Sequence, residues 1–515
     1  MKRATLFFIG ICSVVCGAMN AAQAQVVVTL QPASNQTISA DIYGQFSEHL
    51  GRCIYDGIWV GPDSDIPNKN GYRLDVMEAL RDLQMPVLRW PGGCFADDYH
   101  WMDGIGPKDQ RTKICNNNWG GTLEDNSFGT HEFLDFCEMV GTKPYISGNI
   151  GSGTPEELAK WVEYMTSNSQ STVVNQRRTN GRNEPWDVRY LGIGNEAWGC
   201  GGNMTADYYS DLFRRYSTYT RNYNGHLYKV ACGGVTGDYD WTETLMRKVG
   251  TMMDGYSLHY YTVPQDWNHH GSSTEFDENE YYITLAKALQ IEDFIARTIE
   301  IMERYDTARH IDLVIDEWGT WYDVEPGTNP GHLYQQATMR DALVAALSFA
   351  IFHQYSYRIT MANIAQTVNV LQSMILTEGN RMVLTPTYHV FKMFKGYQDA
   401  TWVPTTIENN SYTTLSEGRV PAIAATASTK DGRTYITLIN TDLKHTQSVK
   451  LQGVQGKVLS AQVLTAKDVH DTNTFDKPNE VEPKEFKGYK LLANKRQVNG
   501  VEVTMPACSI VTITL

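Results

Sequence analysis

Two segments of this 515-residue chain end an apolar, β-type run in a glutamate. They are Tyr190-Leu191-Gly192-Ile193-Gly194-Asn195-Glu196 and Leu313-Val314-Ile315-Asp316-Glu317-Trp318. Two carboxyl groups flanking an anomeric carbon can cleave a glycosidic bond, one protonating the leaving oxygen while the other attacks carbon or activates water. Asn195 beside the first glutamate suits that chemistry, because a neighbouring amide can bind the sugar hydroxyl next to the scissile bond. A single glutamate at a strand end is ordinarily a solvated loop charge; two at corresponding positions of one fold are a constellation.

Such a pair works only if the fold brings the two segments together. From about residue 40 to 395 short apolar runs alternate with helical patterns, which predicts a parallel α/β architecture. Eight strands can be counted: Ile42–Phe46, Pro86–Trp90, Pro144–Asn149, Val188–Asn195, Lys229–Val235, Gly255–Tyr261, Asp312–Glu317 and Thr360–Gln366. Between the first two, Leu74, Met77, Leu80 and Leu83 fall at helical spacing. Thr154-Pro155-Glu156-Glu157 offers an N-cap, a proline at the first helical position and a glutamate three residues after the cap. Leu158, Trp161, Val162 and Met165 then share one helix face. Eight such units predict a (β/α)8 TIM barrel over residues 41–395. No G-x-G-x-x-G turn follows the first strand, which argues against an open doubly wound sheet. The count places Glu196 and Glu317 at the ends of the fourth and seventh strands, in the barrel mouth.

After about residue 396 the pattern changes to short β-type runs such as Thr434–Ile439, Ser448–Leu451, Val458–Leu464, Val501–Thr504 and Ser509–Leu515. Residues 396–515 therefore read as an antiparallel β-sandwich. Val26–Leu30, within an N-terminal stretch 25–40, is strand-like and is expected to pair with the sandwich, since eight strands already complete the barrel.

Residues 1–24 read as a cleaved signal peptide: Lys2 and Arg3, an apolar stretch from Leu6 to Val15, then Ala22-Gln23-Ala24. The expectation is an exported protein, periplasmic or secreted, without a transmembrane span. Of nine cysteines, Cys12 and Cys16 lie in that leader, leaving an odd, scattered set that signals neither a disulfide framework nor a zinc knuckle. One or two disulfides remain open in an oxidising compartment. The net charge of −14 argues against a nucleic-acid partner. It says little about a neutral sugar.

Four stretches carry a family resemblance: Ile42 to Arg52 (IYGQFSEHLGR), Leu88 to Phe95 (LRWPGGCF), Gly194-Asn195-Glu196 and Asp316-Glu317-Trp318. With these the chain resembles the α-L-arabinofuranosidases of glycoside hydrolase family 51 over nearly its whole mature length. The resemblance implies a retaining exo-hydrolase with Glu196 as general acid/base and Glu317 as nucleophile, about 5–5.5 Å apart. It implies sugar-hydroxyl contacts from Glu48 and Asn195, and from Gln366 at the end of the eighth strand. Arg89 would hold the nucleophile ionised. His259 and Tyr261 would stand near the pair. Trp321 either walls the pocket or packs beside it. Cys94 stands where some members carry asparagine; it can line the pocket, but as a weak hydrogen-bond partner. The substrate would be an arabinose-containing oligosaccharide or polysaccharide, with no cofactor and no metal, and relatives are often hexamers.

Three rival readings follow from the residues. His259, His269, His270 and Asp316 could be imagined as metal ligands, but no H-x-x-x-H or H-x-H spacing supports them. A non-catalytic carbohydrate-binding protein would not need both glutamates. A barrel glycosidase acting on β-xylosides or β-glucans would use the same two carboxylates, so only the resemblance points to the furanoside.

Overall fold

A computed structural model describes residues 25–494 and 497–515. The expected leader, residues 1–24, lies outside them. Eight parallel strands close into a barrel: β1 (Gly44–Phe46), β2 (Val87–Trp90), β3 (Lys143–Gly148), β4 (Tyr190–Ile193), β5 (Tyr228–Ala231), β6 (Gly255–Thr262), β7 (Asp312–Thr320) and β8 (Ile359–Ala365). β8 pairs with β1 to complete the ring. The (β/α)8 expectation holds, with shifted ends. Residues 40–43 form a 3-10 turn rather than the start of β1, and β7 runs three residues further than its apolar core suggests. Parallel strands covered on both faces need apolar residues throughout, and β7 is buried along all but its first residue.

The helix at Pro155–Thr166 starts as its sequence predicts, with the Thr154 side chain accepting from the Glu157 N–H. The helix Met339–Gln354 is apolar around nearly its whole circumference. It lies between β7 and strands of the C-terminal sheets, and that double burial is what an all-round apolar helix requires. His353 on this helix ties the two layers, hydrogen-bonding Tyr43 Oη at 2.7 Å and Thr426 Oγ1 at 2.9 Å.

The C-terminal part folds into one seven-stranded and one five-stranded sheet. Val26–Leu30 sits inside the five-stranded sheet, antiparallel to Thr405–Glu408 and parallel to Gln447–Gln452. That parallel pair departs from a purely antiparallel sandwich. The inner faces bury a separate apolar cluster that includes Val28, Leu438, Val449, Val503 and Ile513. Among the described residues no helix is long and apolar enough to cross a membrane.

Candidate active site

The two glutamates meet at the C-terminal mouth of the barrel, and local backbone geometry presents them. Glu196 follows β4 with φ 38°, in the left-handed region that non-glycine residues rarely occupy. Gly194 just before it has φ 85°, where a Cβ would strike the Ile150 side chain at 2.4 Å. Asp97, itself buried, accepts from the Asn195 N–H at 2.8 Å and from the N–H groups of Ile150 and Gly151 at 2.7 and 2.9 Å. One carboxylate thereby fastens the turns after β3 and β4 to each other.

A register shift between β6 and β7 shapes the second position. Ser257 pairs with Val314 but His259 pairs with Glu317, so β7 carries one extra residue. The bulge lets two consecutive acids, Asp316 and Glu317, both face the barrel interior. Trp318 then turns outward against Phe349 and Phe352.

Glu317 is 5 % exposed. Its Oε1 accepts from Arg89 Nη1 at 2.8 Å and its Oε2 from Tyr261 Oη at 2.8 Å. Arg89 Nη2 donates to Asn195 Oδ1 at 2.7 Å, which leaves the buried Asn195 Nδ2 with no protein partner. The Arg89 guanidinium is kept charged: burial opposes this, but Asp316 and Glu317 outweigh it.

His259 stands between the pair. Its Nδ1 is 3.0 Å from Glu196 Oε1 and 3.6 Å from Glu317 Oε2, and its Nε2 is 3.2 Å from Asp316 Oδ1. Burial disfavours its charge, yet Glu317 and the hydrogen bonds to Asp316 and Glu196 prevail and raise it to about 10. Asp316 is also bound by Tyr145 Oη at 2.7 Å and by Ser257 Oγ. Against burial, Arg89 and His259 hold its carboxyl well below the usual carboxylate range.

Glu48 is buried beside them. Its Oε1 accepts the N–H groups of Gly93 and Phe95, both at 3.0 Å, and its Oε2 accepts from Gln366 Nε2 at 3.2 Å. Burial, reinforced by the Glu317 charge, pushes its carboxyl up to about 7. Gly93 packs so tightly that a Cβ there would lie 2.6 Å from Glu317 Oε1, a physical reason for glycine in the Pro91-Gly92-Gly93 run.

Glu48, Cys94, Glu196, Tyr261, Glu317, Trp321 and Gln366 line one small cavity of about 200 Å³, together with Trp119. A second cavity of about 430 Å³ adjoins it across Glu196. Cys94 is bonded to Cys200, so its sulfur has no proton to donate, and Cys200 Sγ lies 3.7 Å from Glu196 Oε2. Every site residue that the resemblance implies thus falls in or directly beside the small cavity, whereas His269 and His270 lie on the loop after β6. Asp97, Cys200, Trp119 and Trp267 were missed. Asp97 and Cys200 lay one turn beyond the quoted motifs, while Trp119 and Trp267 sit on loops with no local signal. Two groups of possible metal donors cluster here, Cys94–Glu196–Cys200 and Glu196–His259–Glu317. In the first the two sulfurs are joined in a disulfide, and in the second both ring nitrogens of His259 already face Glu196, Glu317 and Asp316.

Comparison with known proteins bears on this arrangement. A family profile described as the α-L-arabinofuranosidase 1 domain matches residues 79–281, and one described as the α-L-arabinofuranosidase C-terminal domain matches residues 316–509. An intracellular exo-α-L-arabinofuranosidase of Bacteroides ovatus is 55 % identical over 505 residues, covering 96 % of this chain and 97 % of its own. The crystal structure of the family 51 arabinofuranosidase of Xanthomonas axonopodis pv. citri superposes with a TM-score of 0.92 at 48 % identity, covering 95 % of this chain and 99 % of that one. The arabinose complex of the Thermotoga maritima α-L-arabinofuranosidase has a TM-score of 0.82 at 30 % identity, with 95 % and 99 % covered. The expected export is overturned here, because the Bacteroides relative, matched almost end to end, is named intracellular. A basic start, a short apolar run and an Ala-x-Ala are a pattern of composition with no fold behind it, and they do not outweigh that match. Eight closed parallel strands, one glutamate just after β4 and one towards the C-terminal end of β7, and these matches converge: the chain belongs to the α-L-arabinofuranosidases of glycoside hydrolase family 51.

Proposed function

We propose that this glycoside hydrolase removes single terminal α-L-arabinofuranosyl residues from the non-reducing ends of arabinan, arabinoxylan or their oligosaccharides. Glu317 is the nucleophile and Glu196 the general acid/base of a double displacement. The observation that carries this reading is the spacing of the pair: an oxygen of each lies within 4.8 Å of the other across the small cavity. That is the close separation of a retaining pair, too tight for a water molecule to work between them.

In the first step Glu196 protonates the leaving oxygen while Glu317 attacks the anomeric carbon and forms a glycosyl-enzyme. In the second, Glu196 takes a proton from water, which displaces Glu317. Arg89 and Tyr261 orient the nucleophile through one hydrogen bond to each of its carboxylate oxygens. The unpartnered Nδ2 of Asn195 is the donor for the hydroxyl beside the scissile bond. Glu48 and Gln366, bound to each other, grip the hydroxyls at the far end. A small cavity of about 200 Å³ suits one terminal sugar rather than a chain passing through, which supports exo action. The names of the relatives support arabinofuranose as that sugar. The resemblance also supports assembly into a homohexamer, which sedimentation would show as about six times 58.1 kDa; a monomer mass would remove that part of the reading.

The test is the initial rate on aryl α-L-arabinofuranoside, β-D-xyloside and β-D-glucoside. The arabinofuranoside should be strongly preferred, and Glu317→Ala should abolish turnover. Azide should rescue Glu196→Ala while yielding a glycosyl azide. Preference for the xyloside or glucoside would overturn the specificity. Normal rates of Glu196→Ala on unactivated substrates would overturn the acid/base assignment.

A further inference from the structure

A general acid stands between the sugar being released and the group that leaves with the oxygen. Glu196, Trp198, Tyr261 and Trp267 line both cavities, whereas Glu317 and Glu48 line only the smaller one. The larger cavity, about 430 Å³, is therefore on the leaving-group side of the acid. Its mouth carries Trp267, 66 % exposed, in the loop that follows β6.

That loop is clamped at both ends. Lys287 Nζ, from the helix Glu278–Leu289, donates to the carbonyls of Val263, Pro264 and Gln265 at 3.0, 2.8 and 2.6 Å. At the other end the Asp323 carboxylate accepts the N–H groups of His270 and Gly271 at 3.1 and 3.2 Å. Between the clamps, the Trp267 ring stands edge-on to Trp321 at 5.9 Å and to His270 at 5.7 Å. An indole held this firmly while two-thirds of it faces water is a preorganised platform for a flat apolar face. The polar neighbours Thr236, Gln265 and Asp266 in the same cavity offer hydroxyl partners at its edge.

Building on the reading above, we propose that Trp267 is the specificity-determining residue of the leaving-group cavity, stacking on the first sugar ring of the departing glycan. The enzyme then favours arabinofuranosides whose leaving group is itself a sugar.

The experiment compares α-1,5-linked arabinotriose with methyl α-L-arabinofuranoside, whose leaving group has no ring, in wild type, Trp267→Ala and Trp267→Phe. The ratio of kcat/KM for the trisaccharide to that for the methyl glycoside is expected to fall roughly tenfold in Trp267→Ala and to recover in part in Trp267→Phe. A second readout uses arabinofuranosyl fluoride with xylobiose as acceptor. Transfer to xylobiose relative to hydrolysis should fall in Trp267→Ala, since both paths share one glycosyl-enzyme. An unchanged ratio together with an unchanged partition would overturn the proposal and make the ring a prop for the smaller cavity. Failure of the wild type on both arabinofuranosides would instead overturn the underlying function.

Discussion

Arg89 donates from Nη1 to Glu317 Oε1 at 2.8 Å while its Nη2 holds Asn195 Oδ1 at 2.7 Å. One planar fork thus sets the attitude of both neighbours, and a lysine ammonium, whose donors all leave from one nitrogen, cannot reproduce that geometry. Arg89→Lys is expected to fold but to lose about 10²-fold in kcat/KM, the scale on which misplacement by an ångström is felt. Arg89→Met leaves Asp316 and Glu317 buried without their cation and should cost about 3–5 kcal/mol in denaturant unfolding. Near-normal kinetics in Arg89→Lys would show that charge alone suffices.

Gly93→Ala tests whether the glycine is there for space. The new Cβ would sit 2.6 Å from Glu317 Oε1, and Arg89 and Tyr261 leave that carboxylate little room to retreat. Activity should fall at least about tenfold while thermal stability changes little, because the displaced group is one tightly held side chain rather than the core. A large drop in Tm with intact kcat would reverse this assignment.

The barrel, the eight strand–helix units and the carboxylate pair were legible in the sequence because each rests on a local pattern. Burial on both strand faces makes continuous apolar runs, and an apolar run that ends in a glutamate announces itself. The supports beneath the pair were not legible. Asp316 and Glu317 are adjacent, and strand alternation would send them to opposite faces; only the register shift against β6 brings both inside. Asp97 reads as one acid among 58 Asp and Glu residues until the fold lays its carboxylate against three N–H groups. Cys94 and Cys200, 106 residues apart, carry no spacing signal for their bond.

His259 gives a pH test whose sign can be worked out. Its folded value is raised from 6.5 to about 10, so the folded protein keeps a proton that the unfolded chain has lost across that interval. The stability it contributes is complete below about pH 6.5 and vanishes as pH rises through about 10. The Tm gap between wild type and His259→Gln should therefore be widest at pH 6 and close progressively toward pH 10. A gap that widens with pH would show that His259 is neutral in the folded protein.

The Cys94–Cys200 bond joins the turn after β2 to the turn that carries Glu196, closing a span of 106 residues. Opening so long a loop should cost about 2–5 kcal/mol. Reduction, or Cys200→Ser, is expected to lower Tm by several degrees and to raise protease sensitivity around residue 200. Identical unfolding curves with and without reductant would show that the bond carries no stability.

The pairing of Val26 with Val449 has a bearing on how the chain is made. The strand that holds Val26 lies in a sheet whose other members are synthesised hundreds of residues later. While hundreds of intervening residues emerge and the barrel closes on its own contacts, that strand has no edge to join. Its exposed valines must be kept from other chains during that wait, so the yield of native enzyme depends on translation finishing before the orphan strand finds a stranger.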